Sequence, residues 1–215
     1  MYDRENRLRT AKVSHNGVQN SLSQKYADSS FTGNTSSHAK ASHLEDLGQE
    51  HKDHSEHDGL TTIVADSGDE ALITDLASKA DVIVQASDAR SLEAARAALK
   101  GLRKRYETTG IKPSLIHTSG IEVLIDDARG AVASPTIYCD MDVEQMSTIP
   151  TPPTEKSARQ MQIDIEIVAA DEEGGYVNSY IVLPASVYGV ADHHLAEKGL
   201  TSPHSIHIPG LIKVR

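Results

Sequence analysis

The rhythm of apolar positions along this chain changes at Asp58-Gly59. Before that point Val13, Val18, Leu22, Leu44 and Leu47 stand scattered among Ser, His, Lys, Asp and Gln, with no sustained helical or strand period. Such a segment buries too little apolar area to offset the entropy of ordering it, so residues 1 to 58 are expected to be disordered. After it, β-branched runs alternate with amphipathic stretches. Leu60 to Ala65 (LTTIVA) predicts a buried strand. Ser67-Gly68-Asp69-Glu70 then reads as a capping box, in which the Ser67 hydroxyl takes a backbone N–H while Glu70 reaches back. Leu72, Ile73, Leu76 and Ala77 follow as one helical face.

Asp81 to Ala86 (DVIVQA) predicts a second strand. Leu92, Ala95, Leu99, Leu102 and Tyr106 mark a second helix with Arg96, Lys100, Arg103 and Lys104 mostly on its solvated side, stopped by Gly110. Ser114 to Thr118 is the third strand. An irregular stretch with Pro135, Pro150, Pro152 and Pro153 leads to a third helix over Ala158 to Glu173, although Met161, Ile163, Ile165 and Ile167 alternate as in a strand. Gly174-Gly175 ends it, and Tyr180 to Leu183 is the fourth strand. Strands alternating with helices of this length imply an α/β fold with right-handed βαβ units and a parallel sheet. Each strand closes on small or polar residues: Asp66-Ser67, Ser87-Asp88, Thr118-Ser119-Gly120 and Pro184 to Gly189. In such a sheet these ends share the edge where nucleotides bind.

Composition narrows the classes of partner. The chain has 215 residues and a formal net charge of −10, against the clustered Lys and Arg that nucleic acid requires. No apolar run approaches the roughly 20 residues of a membrane span. The N-terminus MYDRENRLRT lacks the apolar stretch of a secretory signal. The expectation is a cytoplasmic protein with a small-molecule substrate, no nucleic acid and no membrane. A single cysteine, Cys139, excludes an internal disulfide. His51, His54 and His57, with Asp53 and Asp58 nearby, are three apart, drift around a helix and include no Cys; His193-His194 is no better placed, and no metal site is assigned.

The ordered set "ADVIVQASDA", "LIHTSG", "DDARG", "IYCDMDVEQM", "DIEIVAADEEGGYVNSYIVLPASVYG" and "SPHSIHIPGLI" resembles the extended short-chain dehydrogenase/reductase superfamily, particularly its fungal NAD-dependent epimerase/dehydratase-like branch, over about residues 59 to 211. The resemblance implies a doubly wound, Rossmann-like sheet. It also implies roles for residues. Asp66 matches the acidic residue that caps the adenine amino group. Ala86 and Ser87 match the small residues beside the cofactor's phosphates and ribose. Thr118 and Ser119 match hydroxyls that bond a substrate carbonyl, and Tyr138 matches the general acid. Pro184 opens the "PxxVYG" segment near nicotinamide and substrate. Each has a plainer alternative: Asp66 as a turn residue, Thr118 and Ser119 as strand-end caps, Tyr138 as a packed ring.

Two parts of the family pattern are absent. The chemistry pairs a tyrosine with a lysine, usually four residues on, because a phenol of pKa about 10 needs a neighbouring cation to act near neutrality. Asp142 stands there instead, with Asp140 between. Nor is there a G-x-G-x-x-G, the turn that sets a pyrophosphate on a helix N-terminus. "SFTGNTS" at residues 30 to 36 is its nearest approach and keeps only Gly33. The chain is therefore expected to be a fragment, truncated at both ends. It would comprise a disordered segment 1 to 58 and a partial NAD(P)-binding domain 59 to 215, holding NAD or NADP weakly. With two family strands missing, Leu60 to Ala65 is expected to pair directly with Asp81 to Ala86, or to leave that edge bare. The expected activity is oxidoreductase or epimerase chemistry on a small carbonyl or hydroxyl. The alternative is a non-catalytic NAD(P)-sensing regulator of the NmrA-like kind.

Overall fold

The computed structural model describes residues 10–13, 30–35, 60–66, 68–86, 90–126, 128, 131–133, 135–192, 194–197, 202–204, 210 and 212. Six strands form one parallel sheet: β1 (Thr10–Val13), β2 (Ser30–Thr35), β3 (Leu60–Val64), β4 (Val82–Gln85), β5 (Ser114–Thr118) and β6 (Asn178–Val182). Their order across the sheet is β3-β2-β1-β4-β5-β6, and every neighbouring pair is parallel. This is a doubly wound α/β sheet, as expected. The strand order reverses between β1 and β4, which makes that boundary the switch point of the fold.

The expected pairing of β3 with β4 is corrected. β2 and β1 lie between them, and Ala11, Lys12 and Val13 pair with Val82, Ile83 and Val84. Backbone ladders satisfy the polar groups that a bare inner edge would leave unpaired. Both inserted strands come from the segment expected to be unstructured; the rest of residues 1 to 58 lies outside the described residues. Gly33 sits in β2, opposite Val13 on one side and Thr62 on the other, in extended ladder pairing.

Among the described residues the later strands are followed by α1 (Glu70–Ala77), α2 (Leu92–Thr109) and, past a short helix α3 (Val143–Ser147), α4 (Glu155–Glu172). The cap of α1 is Asp69, whose carboxylate accepts from Leu72 N at 2.9 Å; Ser67 lies outside the described residues. Ser91 caps α2 by accepting from Ala94 N at 3.3 Å, and Gly110 ends it at φ 69°, a conformation that favours glycine. Thr154 caps α4 by accepting from Ser157 N at 3.2 Å. α2 packs against both α1 and α4. The strand-like alternation of isoleucines in α4 resolves by phase: Ile163 and Ile167 are fully buried, four residues apart, while Ile165 is exposed.

The core joins Ala95, Leu99 and Leu102 of α2, Leu115 of β5, and Ile163, Ile167 and Ala170 of α4, closed by Tyr176 and Val177 before β6. Arg96 ties the same helices at their surface, donating to both carboxylate oxygens of Glu166 at 2.8 and 2.6 Å. The α1–α2 contact is tight at Gly101. A Cβ there would stand 2.4 Å from Ala77 Cβ and 2.5 Å from the Thr74 carbonyl oxygen. In an exposed helix Gly→Ala gains about 1 kcal/mol. Here the overlap reverses that sign, and Gly101→Ala should lower stability by about 1–3 kcal/mol in urea denaturation. A gain instead would mean that α1 and α2 separate freely.

Candidate functional site

β5 alternates in its burial, and its inward positions continue past the strand. Leu115, His117 and Ser119 are buried while Ile116 and Thr118 are half-buried. The Ser119 N–H donates to the Val182 carbonyl at 2.9 Å, so β6 holds this residue beyond the end of the ladder. α4 supplies the facing stripe. Gln160, Ile163, Asp164 and Ile167 follow the i, i+3, i+4, i+7 spacing of one helical face. The stripe is apolar against Leu115 and becomes polar where it meets His117 and Ser119. Gly120 permits the approach, because a Cβ there would lie 2.7 Å from Gln160 Nε2.

A connected polar group results. The Ser119 hydroxyl donates to Asp164 Oδ2 at 2.6 Å, and Gln160 Nε2 donates to Ser119 Oγ at 3.1 Å. His117, with no exposed surface, places Nδ1 3.2 Å from Gln85 Oε1 at the end of β4. Its Nε2 lies 3.5 Å from Asp164 Oδ1, and among the described residues neither of these buried atoms has a hydrogen-bond partner. Two facing acceptors repel, so the pair is comfortable only with a proton between them, on the carboxyl or on the ring. The Gln85 amide can present either its oxygen or its nitrogen to Nδ1 and so fits either ring tautomer.

Burial pushes both ionisable members toward their neutral forms. Desolvation lowers His117 to about 4. Desolvation raises Asp164 to about 6, and the hydrogen bond from Ser119 works in the opposite direction. Near pH 6 the imidazole is neutral and the carboxyl is at its own midpoint. The group can therefore hold or release one proton beside the Ser119 hydroxyl.

The residues expected from sequence fall into three sets. Thr118 and Ser119 stand together at the end of β5, with Ser119 in the polar group just described. Ala86 follows β4 and is half-buried; Asp66 follows β3, exposed, with its Oδ1 accepting from Gly68 N at 3.0 Å as a turn residue does. Pro184 follows β6 and is exposed, and Ser87 lies outside the described residues. Tyr138 makes up the third set. It is half-buried in the irregular chain before α3, and the α4 face toward Ser119 presents Gln160 and Asp164. His51, His54, His57 and His193 lie outside the described residues, and among those described no three His, Cys, Asp or Glu side chains gather as a metal site. No helix among the described residues is long and apolar enough to cross a membrane. Sequence reasoning missed Gln85, His117, Gln160 and Asp164. The available signal was phase: residues 160 and 164 share a stripe with Ile163 and Ile167, and His117 is two from both Leu115 and Ser119.

Neither a protein-family model nor a curated protein matches the sequence. Solved structures do match. A mutated uronate dehydrogenase aligns at TM-score 0.50 and 14% identity, over 79% of this chain and 56% of its own length. A short-chain dehydrogenase from Mycobacterium smegmatis aligns at TM-score 0.51 and 9% identity, over 83% of this chain and 77% of its own. The likeness is one of fold, a doubly wound, Rossmann-like α/β sheet. An NADH-dependent reductase solved with NAD aligns at TM-score 0.49 and 15% identity, over 85% of this chain and 80% of its own. The chain thus spans little more than half the length of the uronate dehydrogenase it matches.

Beside the reversal of strand order, the described edge of the sheet presents one small and one acidic residue. Ala86 offers no side chain beyond Cβ beside the switch point, and Asp66 is exposed at the end of β3.

The His117–Asp164 pair has a consequence for stability. His117 is depressed on folding, so its contribution is full above about pH 6.5 and is lost as the pH falls toward about 4. Asp164 is raised, so its contribution is full below 3.8 and is lost as the pH rises toward about 6. The slopes oppose each other over one interval. Near pH 5 the unfolded chain carries its proton on the histidine and the folded chain carries it on the aspartate. In urea denaturation between about pH 4 and 6.5, Asp164→Asn should therefore gain stability as the pH rises, by on the order of 2–3 kcal/mol relative to wild type. His117→Gln should lose a similar amount over the same range. Parallel profiles for all three proteins would refute the pairing.

Proposed function

We propose that this chain is an NAD(P)-binding protein of the extended short-chain dehydrogenase type, with oxidoreductase or epimerase chemistry on a small carbonyl or hydroxyl compound. One observation carries the reading: the strand order reverses at β1 and β4, and the same sheet edge gathers Asp66, Ala86, Thr118 and Ser119. In open α/β sheets a ligand binds outside the strand ends at such a reversal. Asp66 would meet the adenine end of the dinucleotide, Ala86 would let it approach the sheet, and Pro184 would border its nicotinamide end. When bound, the cofactor supplies or accepts a hydride. Thr118 and Ser119 would then orient the substrate oxygen.

The chain lacks G-x-G-x-x-G, and binding should be weak for that reason. Each charge-assisted hydrogen bond is worth about 1.5–3 kcal/mol, so two or three fewer correspond to roughly two to six decades of affinity. A second reading is a non-catalytic NAD(P)-sensing regulator of the NmrA-like kind. It draws on Asp142, which stands where a lysine would follow Tyr138, and on the internal bonds that already engage the Ser119 hydroxyl. Calorimetric titration with NAD(P), beside turnover of NAD(P)H with a panel of small aldehydes, distinguishes the two. The expected result is binding weaker than micromolar together with aldehyde-dependent NAD(P)H oxidation. Binding without turnover would favour the regulator, and no binding would overturn both.

A further inference from the structure

We propose that Asp164 is the proton-handling residue of this site, exchanging a proton with the substrate oxygen through the Ser119 hydroxyl, while His117 and Gln85 fix its orientation. The proposal rests on the oxidoreductase reading above. Its geometry is the hydrogen bond from Ser119 Oγ to Asp164 Oδ2 at 2.6 Å, with the buried His117 Nε2 facing Asp164 Oδ1 at 3.5 Å. The hydroxyl is the point of exchange. With Asp164 ionised, Ser119 spends its one donor on the carboxylate and one lone pair on Gln160, which leaves one lone pair to accept from an alcohol. With a proton on Oδ2, the carboxyl donates to Ser119 instead and frees the hydroxyl to donate to a carbonyl oxygen. The protonation state of one buried acid thus selects whether the site receives an alcohol or a carbonyl.

The step balances in both directions. In alcohol oxidation the substrate C–H leaves as hydride to NAD(P)⁺, the substrate O–H proton passes to Ser119 Oγ, and the Ser119 proton passes to Asp164 Oδ2. The products are the carbonyl compound, NAD(P)H and a neutral carboxylic acid. Carbonyl reduction is the reverse and leaves the carboxylate. His117 in its Nε2–H form would donate to Oδ1, steadying the ionised acid while Oδ2 serves Ser119.

Among the described residues few other charges bear on Asp164. β5 presents His117, β6 carries Tyr180, which is exposed, and the 3-10 turn Ile121–Leu124 beside α4 carries Glu122, which is exposed. Arg96 of α2 is engaged by Glu166. The Asp164 carboxyl is raised to about 6 by burial and held down by the Ser119 bond, so removing that bond should raise it further.

Carboxyl NMR of the cofactor-free protein reads this directly. Asp164 should titrate near 6, and Ser119→Ala should move its midpoint upward. An ordinary carboxylate midpoint near 4, or one indifferent to Ser119→Ala, would overturn the proposal. Turnover supplies the second arm, with NAD(P)H and small aldehydes for reduction and NAD(P)⁺ with small secondary alcohols for oxidation. Reduction should fall and oxidation should rise as the pH passes through about 6. The isosteric Asp164→Asn should lose about 100-fold or more in kcat and abolish both pH limbs, with calorimetric NAD(P) affinity retained. An Asp164→Asn enzyme that keeps its rate and pH limbs would overturn the proposal and leave the oxidoreductase reading standing. A wild-type chain that binds NAD(P) and turns over nothing would overturn that reading and, with it, the proton transfer proposed here.

Discussion

One helical stripe has to serve two environments. α4 lies along β5 so that Ile163 and Ile167 share the core with Leu115 and Leu102, while Gln160 and Asp164 reach the strand's polar end. Full burial of an aliphatic side chain contributes about 1.5–3 kcal/mol, and this part of the stripe anchors the helix. The polar part has no such freedom. A buried polar atom without a partner costs about 1–3 kcal/mol, so its members must satisfy one another across the β5–α4 boundary. The apolar contact therefore fixes the helix phase, and the phase dictates which polar groups meet.

That dependence explains what could be read from sequence. β3, β4, β5, β6, α1, α2 and α4 all carry apolar residues at the period of their element, and each was legible to within a few residues. β1 and β2 were not. "TAKV" and "SFTGNT" are short and mostly polar, and their place in the sheet is secured by backbone ladders, which leave little trace in side-chain pattern. At the site, Thr118 and Ser119 were legible as hydroxyls at a strand end. Asp164 was not, because its bond to Ser119 spans 45 positions and depends on helix phase. The alternating isoleucines from 163 to 167 obscured that phase.

The polar group also offers a different route to neutral-pH proton chemistry from a tyrosine–lysine pair. A phenol starts near 10 and needs a cation to bring it down. A carboxyl starts near 4, and withdrawal from water alone brings it up. Burial acts in the useful direction for Asp164 and calls for no lysine nearby. The same burial depresses His117, which keeps the ring neutral and able to present either a lone pair or an N–H to its neighbour.

The central strand imposes an order on assembly. β1 pairs on one side with β2, beginning at Ser30, and on the other with β4, beginning at Val82. On a ribosome the first partner emerges long before the second. Until residues near 85 have left the exit tunnel, the inner edge of β1 has no partner of its own chain. Parallel pairings across such a separation are slow to close and expose strand edges while they wait. The interval between the synthesis of β3 and that of β4 is thus the stage at which β1 holds an open edge.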